Sequence, residues 1–359
     1  MPVTICTQHH GPRFQWLRWN GLDVLAIENE RVRVVVWPGH GADILEFRDK
    51  RTDLDALWKN PRVWPPRPLP LGQPHSGRSE LYDVFHGGWF VSAPNGFHPG
   101  EWPSPGGAPL GCHGELHSVP WDVSIVRCDA SEIVVRACGR GVRTPLRLDR
   151  IWTLRACSPV LEWDDTLHNE ASVRLPFAWQ HHPAFGGPLI DGAKVLTNAR
   201  TVSVPTSSRP ELSQLEAGYR GAWPHVPCTS GPGLRDCSVV PAAGSPDEHV
   251  VHLEQFPYGW GAIWNESLQT GFGLRWEEAV FPYCWSWACG RGSSSFPLWG
   301  SCHTITLQPS TSPLLPFDQL VESGGLAWLE PGARLNARLS TGFIRARAEV
   351  FHSIGNASY

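Results

Sequence analysis

The amino-acid sequence predicts an all-β protein in the form of a large two-sheet antiparallel β-sandwich. Many short apolar stretches follow one another and are separated by glycine, proline and asparagine turn signals. No stretch keeps the apolar spacing of a helix for three turns, and Pro316–Glu322 is the best candidate for a short helix. The chain of 359 residues is long enough to bury a large core, and we expect a single domain over residues 1–359.

The amino-terminal fifty residues predict four strands with short connections. The third and fourth are separated by Pro38–Gly41, whose proline and glycines are a clear turn signal. The four strands are predicted at Phe14–Trp19, Asp23–Glu28, Arg31–Trp37 and Ala42–Arg48. Later strands are predicted at Pro120–Arg127, Glu132–Cys138, Leu146–Arg155, Val160–His168, Val173–Gln180, Ala193–Val204, Val250–Glu254, Gly261–Asn265, Gly271–Trp276, Tyr283–Trp287, Cys302–Gln308 and Arg334–Arg345.

Two long regions, at about 60–111 and 205–247, interrupt this pattern and are rich in proline, glycine and serine. A structureless segment of this length is uncommon inside a compact domain. The first region also carries many aromatic residues and histidines. We therefore expect it to form ordered loops that wall a cleft, whereas the second is expected to form surface loops.

Composition excludes several classes of function. The formal net charge is -4 and there is no basic run, so a nucleic-acid partner is not expected. No apolar stretch approaches the length of a membrane span, and residues 1–15 lack the pattern of a signal peptide. The ten cysteines are scattered without a C-x-x-C pair, which disfavours a zinc site of the usual spacing. We expect a cytoplasmic protein with mostly reduced thiols, no metal and no cofactor.

Two adjacent histidines, His181 and His182, follow an apolar and aromatic stretch and precede a Gly-Gly-Pro turn signal. This pattern predicts a strand that ends by presenting imidazole at the mouth of a loop. Side chains alternate between the two faces of a strand, so only one of the pair can face a given cleft. Histidine there is suited to moving protons near neutral pH, although a buried structural histidine is the plainer interpretation of either residue.

The order of several motifs resembles the galactose mutarotase-like superfamily, which includes the aldose 1-epimerases. The resemblance spans about residues 36–343, and it implies a galactose mutarotase-like supersandwich. The motifs that carry it are Val36–Ile44, His86–Trp89 with Pro94–Gly96, His113–Glu115 with Pro120 and Trp121, Pro176–Phe185, Ile305–Ser312 and Leu329–Gly332.

The resemblance implies an isomerase that needs no cofactor and interconverts the anomers of a free sugar. One group removes the proton of the anomeric hydroxyl, a second donates a proton to the ring oxygen, and the open aldehyde rotates and recloses. A carboxylate and a histidine suit these two roles. By resemblance His182 is the acid, because it directly precedes the Pro-Ala-Phe run, and His113 binds a hydroxyl. His181 is the rival to His182.

Gln308 departs from the family pattern, because it stands where the resemblance places a glutamate base. An amide does not titrate in water and is not a useful proton acceptor. Another carboxylate could be the base, and by position the candidates are Glu115, Glu277 and Glu278. Alternatively, the protein is a repurposed isomerase or lyase for a glycoside or specialised metabolite, with His182 and His113 as its acid–base pair. The third interpretation is a carbohydrate-binding protein without catalysis.

The expected partner is a small carbohydrate or sugar-like molecule, bound by a monomer or a homodimer. Asn95 in its turn and Trp287 on its strand also have plain structural interpretations, as a turn residue and as a core residue. A pair such as Glu277 and Glu278 is more often the solvated end of a hairpin than a catalytic pair. The residues expected to bind substrate are Gln308, His86, Asn95, Trp89, His181, Glu277 and Trp287.

Overall fold

The structure, a computed structural model, describes residues 9–66, 81, 85–103, 107–206 and 213–345. Within these ranges the chain forms 27 strands and one short helix, α1, at Phe317–Glu322, which confirms the all-β class and the predicted helix. In the same ranges, no helix has the length and apolar character needed to cross a membrane.

The strands are numbered in chain order. The first fourteen are β1 (Arg13–Trp19), β2 (Leu22–Glu28), β3 (Val32–Trp37), β4 (Asp43–Asp49), β5 (Leu54–Asp55), β6 (Trp89–Ser92), β7 (Gly100–Trp102), β8 (Ala108–Leu110), β9 (Asp122–Cys128), β10 (Glu132–Arg140), β11 (Leu146–Arg155), β12 (Val160–Asn169), β13 (Leu175–Phe177) and β14 (Gln180–Phe185). The others are β15 (Lys194–Thr197), β16 (Thr201–Ser203), β17 (Arg220–Ala222), β18 (His225–Pro227), β19 (Leu234–Asp236), β20 (Glu248–Glu254), β21 (Gly259–Asn265), β22 (Thr270–Trp276), β23 (Tyr283–Gly290), β24 (His303–Thr306), β25 (Gln308–Ser310), β26 (Ala327–Leu329) and β27 (Arg334–Ile344).

Two large antiparallel sheets make up most of the structure. The first has 13 strands, with the main order β1-β2-β3-β4-β6-β14-β24-β23-β20-β16-β17, and β5 and β25 pair beside this path. The second has eight strands in the order β15-β21-β22-β27-β12-β11-β10-β9. Three two-stranded ribbons, β13-β26, β18-β19 and β7-β8, complete the pairing in the described ranges.

The main apolar core lies between the two large sheets. Alternate residues of β3 and β4 point into it, and the ring of Phe47 on β4 lies 4.8 Å from that of Phe272 on β22. The intervening residues of the 13-stranded sheet point away from the second sheet and form separate apolar clusters with Phe90, Ala184 and Cys289 among them. We call this side of the 13-stranded sheet the outer face.

Three predicted strands are each divided in the structure, and the one predicted over Cys302–Gln308 consists of β24 and the start of β25. The strand predicted over Val173–Gln180 consists of β13 and the start of β14, because the Trp179 N–H donates to Thr311 Oγ1 between them. The two adjacent histidines are therefore the second and third residues of β14 and do not lie at the mouth of a loop. The strand predicted over Ala193–Val204 is β15 in one sheet and β16 in the other, so the chain crosses between sheets there.

The two predicted loop regions contain short strands. Strands β6, β7 and β8 lie in the first region, and β17, β18 and β19 lie in the second. In the described part of the first region, Gly96 packs against the ring of Trp285 and Phe97 packs onto the outer-face cluster. This region thus covers the outer face of the large sheet.

Candidate functional site on the outer face

The alternation of side chains along β14 separates the two adjacent histidines. His181 points between the sheets, where its Nε2 lies 3.4 Å from Asp165 Oδ2 and its ring lies 5.5 Å from that of Trp163. His182 points to the outer face, where its ring stacks on Phe90 at 4.3 Å with an interplanar angle of 15°. Only His182 is therefore placed to meet a ligand on the outer face.

The imidazole of His182 is held by aromatic rings and keeps one nitrogen unpaired. Besides the stacking on Phe90, its ring makes edge contacts with Phe85 at 6.1 Å and with His113 at 5.0 Å. Its Nδ1 is buried and has no hydrogen-bond partner in the described residues. Burial lowers the pKa of His182 to about 3, so the ring is neutral at physiological pH. A neutral imidazole with an open nitrogen can accept a proton or a hydrogen bond.

Gln308 lies beside His182 on the outer face. Strand β14 pairs with β24 at Ala184 and Thr306, and the same register, continued at Gln180, brings His182 next to Gln308 on β25. The Gln308 amide donates from Nε2 to Thr306 Oγ1 at 2.6 Å, whereas its buried Oε1 has no partner in the described residues. At position 308, where the aldose 1-epimerases that this sequence resembles carry a glutamate base, the chain thus has an amide oxygen without a partner in the described residues.

His113 closes the other side of His182. It adopts a left-handed backbone with a φ of 64°, followed by Gly114 with a φ of 73°, where a Cβ would lie 2.2 Å from the Ala93 carbonyl. The tight turn places His113 Nδ1 2.7 Å from Ser92 Oγ. Burial holds the pKa of His113 well below its usual value, although a hydrogen bond that the ring donates to the Gln180 side chain favours the protonated form. His113 is thus a fixed, neutral neighbour of His182.

Gln180, on the same strand as His182, has a further polar atom without a hydrogen-bond partner in the described residues. It is two residues before His182 on β14 and therefore points to the same face. Its Nε2 is buried and has no partner in the described residues. His182 Nδ1, Gln308 Oε1 and Gln180 Nε2 together offer a ligand both acceptors and a donor.

Trp287 borders this site on β23. Its backbone N–H donates to Thr306 Oγ1 at 2.9 Å, and its indole Nε1 donates to Glu248 Oε1 at 3.1 Å. The ring is half-buried in the same apolar cluster as Phe90, so an aromatic surface lies near the polar row. Glu248 is a carboxylate on the outer face that sequence reasoning missed, because it lies between the predicted loop region, which ends at about residue 247, and the strand predicted from Val250.

Asn95 and His86 lie in the segment over the outer face. Asn95 Nδ2 donates to the carbonyls of Gly96, His98 and Gly111, so this residue braces the loop that carries His113. His86 is not next to His182. It lies instead beside Asp43, with its Nε2 3.5 Å from Asp43 Oδ2.

Three further predicted site residues lie away from His182. Trp89 points into the core and stacks on Trp163 at 4.6 Å, as its position next to Phe90 on β6 requires. Glu277 follows β22 in the second sheet, where its Oε2 accepts the Arg338 N–H at 3.2 Å. His181, which points into the core, is the third. None of these three residues lies with His182 on the outer face.

Glu115 serves as an anchor for a turn. Its carboxylate accepts hydrogen bonds from the backbone N–H groups of Val142, Arg143 and Thr144 and from Thr144 Oγ1, at 2.7–3.3 Å. Both oxygens are occupied, so Glu115 is not placed to take a proton from a sugar on the outer face.

Sequence reasoning also missed Ser92 and Gln180. Each is two residues from a residue of the site on a strand, Ser92 from Phe90 and Gln180 from His182. Residues two apart on a strand point to the same face, and this rule, which also puts His181 and His182 on opposite faces, would have identified both. The missing information was the bounds of β6 and β14.

The sequence matches a family model over more than half of the chain. A family model described as "Domain of unknown function (DUF4432)" matches residues 19–217. No curated protein matches the sequence.

Solved structures match the fold. A putative aldose 1-epimerase from Klebsiella pneumoniae is 16% identical with a TM-score of 0.72, over 95% of this chain and 85% of that chain. A galactose mutarotase-like protein from Lactobacillus casei is 15% identical with a TM-score of 0.60, over 89% of this chain and 100% of that chain. A putative aldose 1-epimerase from Escherichia coli is 16% identical with a TM-score of 0.57, over 90% and 100%. The chain therefore has the galactose mutarotase-like fold.

Proposed function

This chain belongs to the family described as "Domain of unknown function (DUF4432)", and we propose that it catalyses proton transfer on a free sugar, in a reaction of the aldose 1-epimerase type. The observation that carries the proposal is the neutral His182 ring on the outer face, whose buried Nδ1 has no hydrogen-bond partner in the described residues and whose strand neighbour is Gln308. The fold shared with putative aldose 1-epimerases supports the substrate class.

In this proposal His182 both accepts and returns the proton. A ring whose pKa is lowered to about 3 is a poor donor at pH 7, because almost none of it is imidazolium. It takes the proton of the anomeric hydroxyl at Nδ1 while the ring C–O bond breaks and the carbonyl forms. The resulting imidazolium then gives this proton to the former ring oxygen, and reclosure on the other face of the aldehyde reverses the steps. No other base is required, which fits the absence of a carboxylate at position 308.

Gln308 positions the substrate in this scheme. Its Oε1 accepts a hydrogen bond from a sugar hydroxyl, since its Nε2 is committed to Thr306. Gln180 Nε2 donates to a second sugar oxygen, and Trp287 offers apolar surface to the face of the sugar ring. His113 holds the edge of the His182 ring and so fixes the direction of Nδ1.

A second candidate function is carbohydrate binding without turnover. The amide at position 308 favours it, because a glutamine in place of a base retains hydrogen bonding and loses proton transfer. The two candidates share the site and differ in whether His182 reaches the anomeric centre.

A panel of free aldoses distinguishes the two functions. Binding is measured by saturation-transfer NMR, and interconversion of anomers is measured by magnetisation-exchange NMR on the same samples. The proposal predicts that at least one aldose both binds and exchanges faster than in buffer. Binding with no acceleration for any bound aldose would favour the second candidate, and no binding at all would overturn both.

A further inference from the structure

We propose that His40, Asp43 and His86 form a binding site for a divalent metal ion of the zinc class. Their ligating atoms, one from each residue, all lie within 4.8 Å of one another. His40 Nδ1 lies 2.8 Å and His86 Nε2 lies 3.5 Å from Asp43 Oδ2. This inference goes beyond the proposed function and does not depend on it.

The geometry of the two imidazoles suits a common ion. Zinc binds imidazole nitrogen at about 2.0–2.1 Å in a tetrahedral arrangement, which places the centroids of two bound rings roughly 5 Å apart. The rings of His40 and His86 have centroids 5.6 Å apart at an interplanar angle of 75°. The two rings therefore need only small shifts to share an ion with the carboxylate between them.

Asp43 provides the second, independent observation. Its side chain is 1% exposed, and its Oδ1 has no hydrogen-bond partner in the described residues. Buried polar atoms in folded proteins are almost always hydrogen-bonded or bound to an ion, so an unpartnered Oδ1 at this position is an oxygen that a divalent ion would coordinate.

The backbone holds the ligands in place before any ion binds. Residues 38–41 form the turn between β3 and β4, with Gly41 at a φ of 63° and its would-be Cβ only 2.4 Å from the carbonyl oxygen of His117. Trp37 stacks on His40 at 4.9 Å with an interplanar angle of 15°. The carbonyl of His86 accepts the Asn60 N–H at 3.0 Å. Such supporting contacts are typical of metal sites, in which ligand orientation sets affinity.

Two imidazoles and one carboxylate leave a coordination position open, as in catalytic zinc sites. The cluster adjoins the candidate site, because the ring of His117 lies 5.9 Å from that of His40 and 5.5 Å from that of Phe90, on which His182 stacks. A water molecule would complete the coordination at this position. The sequence did not reveal the site, because its ligands come from a turn, a strand start and a distant loop.

The test is metal binding by the intact chain. After chelator treatment, Zn²⁺ is titrated into the wild type, Asp43→Asn, His86→Gln and the control His252→Gln, which alters another buried outer-face histidine. The wild type and the control are expected to bind one equivalent of Zn²⁺ per chain, and both cluster variants are expected to bind at least about 10-fold more weakly. Thermal unfolding of each variant shows that it is folded.

Wild-type X-ray absorption at the zinc edge removes any dependence on variant folding. The expected first shell contains two imidazoles and oxygen ligands. No stoichiometric binding by the wild type, unchanged affinity in both cluster variants, or a shell containing sulfur would overturn the proposal. Without bound metal, the three residues would form only a hydrogen-bonded His–Asp–His cluster.

Discussion

The imidazole of His182 lies parallel to the ring of Phe90 with centroids 4.3 Å apart, on the face of the sheet opposite to its neighbour His181. His181 and His182 are adjacent on β14, yet the first lies beside Asp165 in the core and the second has an Nδ1 without a partner in the described residues. The different surroundings of these two histidines make their roles separable by mutation.

Replacing His181 by Asn should lower stability. The substitution removes a buried neighbour of the Asp165 carboxylate, which then relies on Arg150 alone. We expect the free energy of unfolding to fall by about 1–3 kcal/mol. Urea unfolding measures this change, and an increase in stability, or a loss of sugar binding in the folded variant, would contradict the assignment of His181 to the core.

Replacing Gln308 by Glu should add a dedicated base next to His182. Because a positioned base typically contributes about 10²–10⁴-fold, we expect faster anomer exchange. The nearby carboxylate also favours the protonated form of the imidazole, so the rate should acquire a dependence on pH that the wild type lacks. The measurement is exchange NMR with the best-bound aldose, and Gln308→Ala is the matched control that removes the amide without adding charge. A folded Gln308→Glu variant that is slower than the wild type would show that the amide itself is needed.

Stability should fall as the pH is lowered from 7 to 5. Burial lowers the pKa of His182 to about 3 and that of His252 to about 4, below the unfolded value near 6.5. Between these values the unfolded chain binds more protons, so the stability from the neutral rings is lost as the pH falls below about 6.5. At pH 5 each of these two rings should lower the free energy of unfolding by about 2 kcal/mol relative to neutral pH.

Unfolding of wild type and His252→Gln at pH 7 and pH 5 measures this loss. The variant should lose less stability on acidification than the wild type. Equal losses in the two proteins would mean that the His252 ring does not contribute.

Replacing Glu115 by Gln should affect stability and leave proton transfer intact. The amide retains one acceptor oxygen but presents an N–H₂ group to backbone donors near Val142 and Thr144. We expect a loss of about 1–3 kcal/mol in the free energy of unfolding. Differential scanning calorimetry gives the stability, and exchange NMR on the folded protein gives the rate. A folded variant with its rate reduced about 100-fold or more would restore Glu115 as a candidate base.

The sequence was sufficient for the fold class and most of the sheet, because alternating apolar residues and turn signals specify strands locally. It did not predict that the Trp179 N–H pairs with Thr311, a contact between residues 132 apart that ends one strand and begins another. For the same reason it did not place the histidines within β14, although it did predict that they face opposite sides.

The site was harder to predict because it depends on pairing between distant strands. Gln308 was recognised by its place in a motif, but its position beside His182 follows from the register of β14 with β24 and β25. Glu115 was named as a base from its place beside His113, whereas its oxygens are occupied by a turn some 27 residues later in the chain. Asp43 and His86 meet only because the loop before β6 folds over the start of β4.

The most direct test of the account is the pH dependence of anomer exchange by wild type and His182→Asn, measured by NMR with the best-bound aldose between pH 5 and 8. Because the pKa of His182 is lowered to about 3, the wild-type rate constant should be constant over this range. The folded variant should still bind the sugar and be at least about 100-fold slower. A wild-type rate that falls with rising pH through about 6.5 would indicate an imidazolium acid of ordinary pKa, and an undiminished rate in the variant would remove His182 from the reaction.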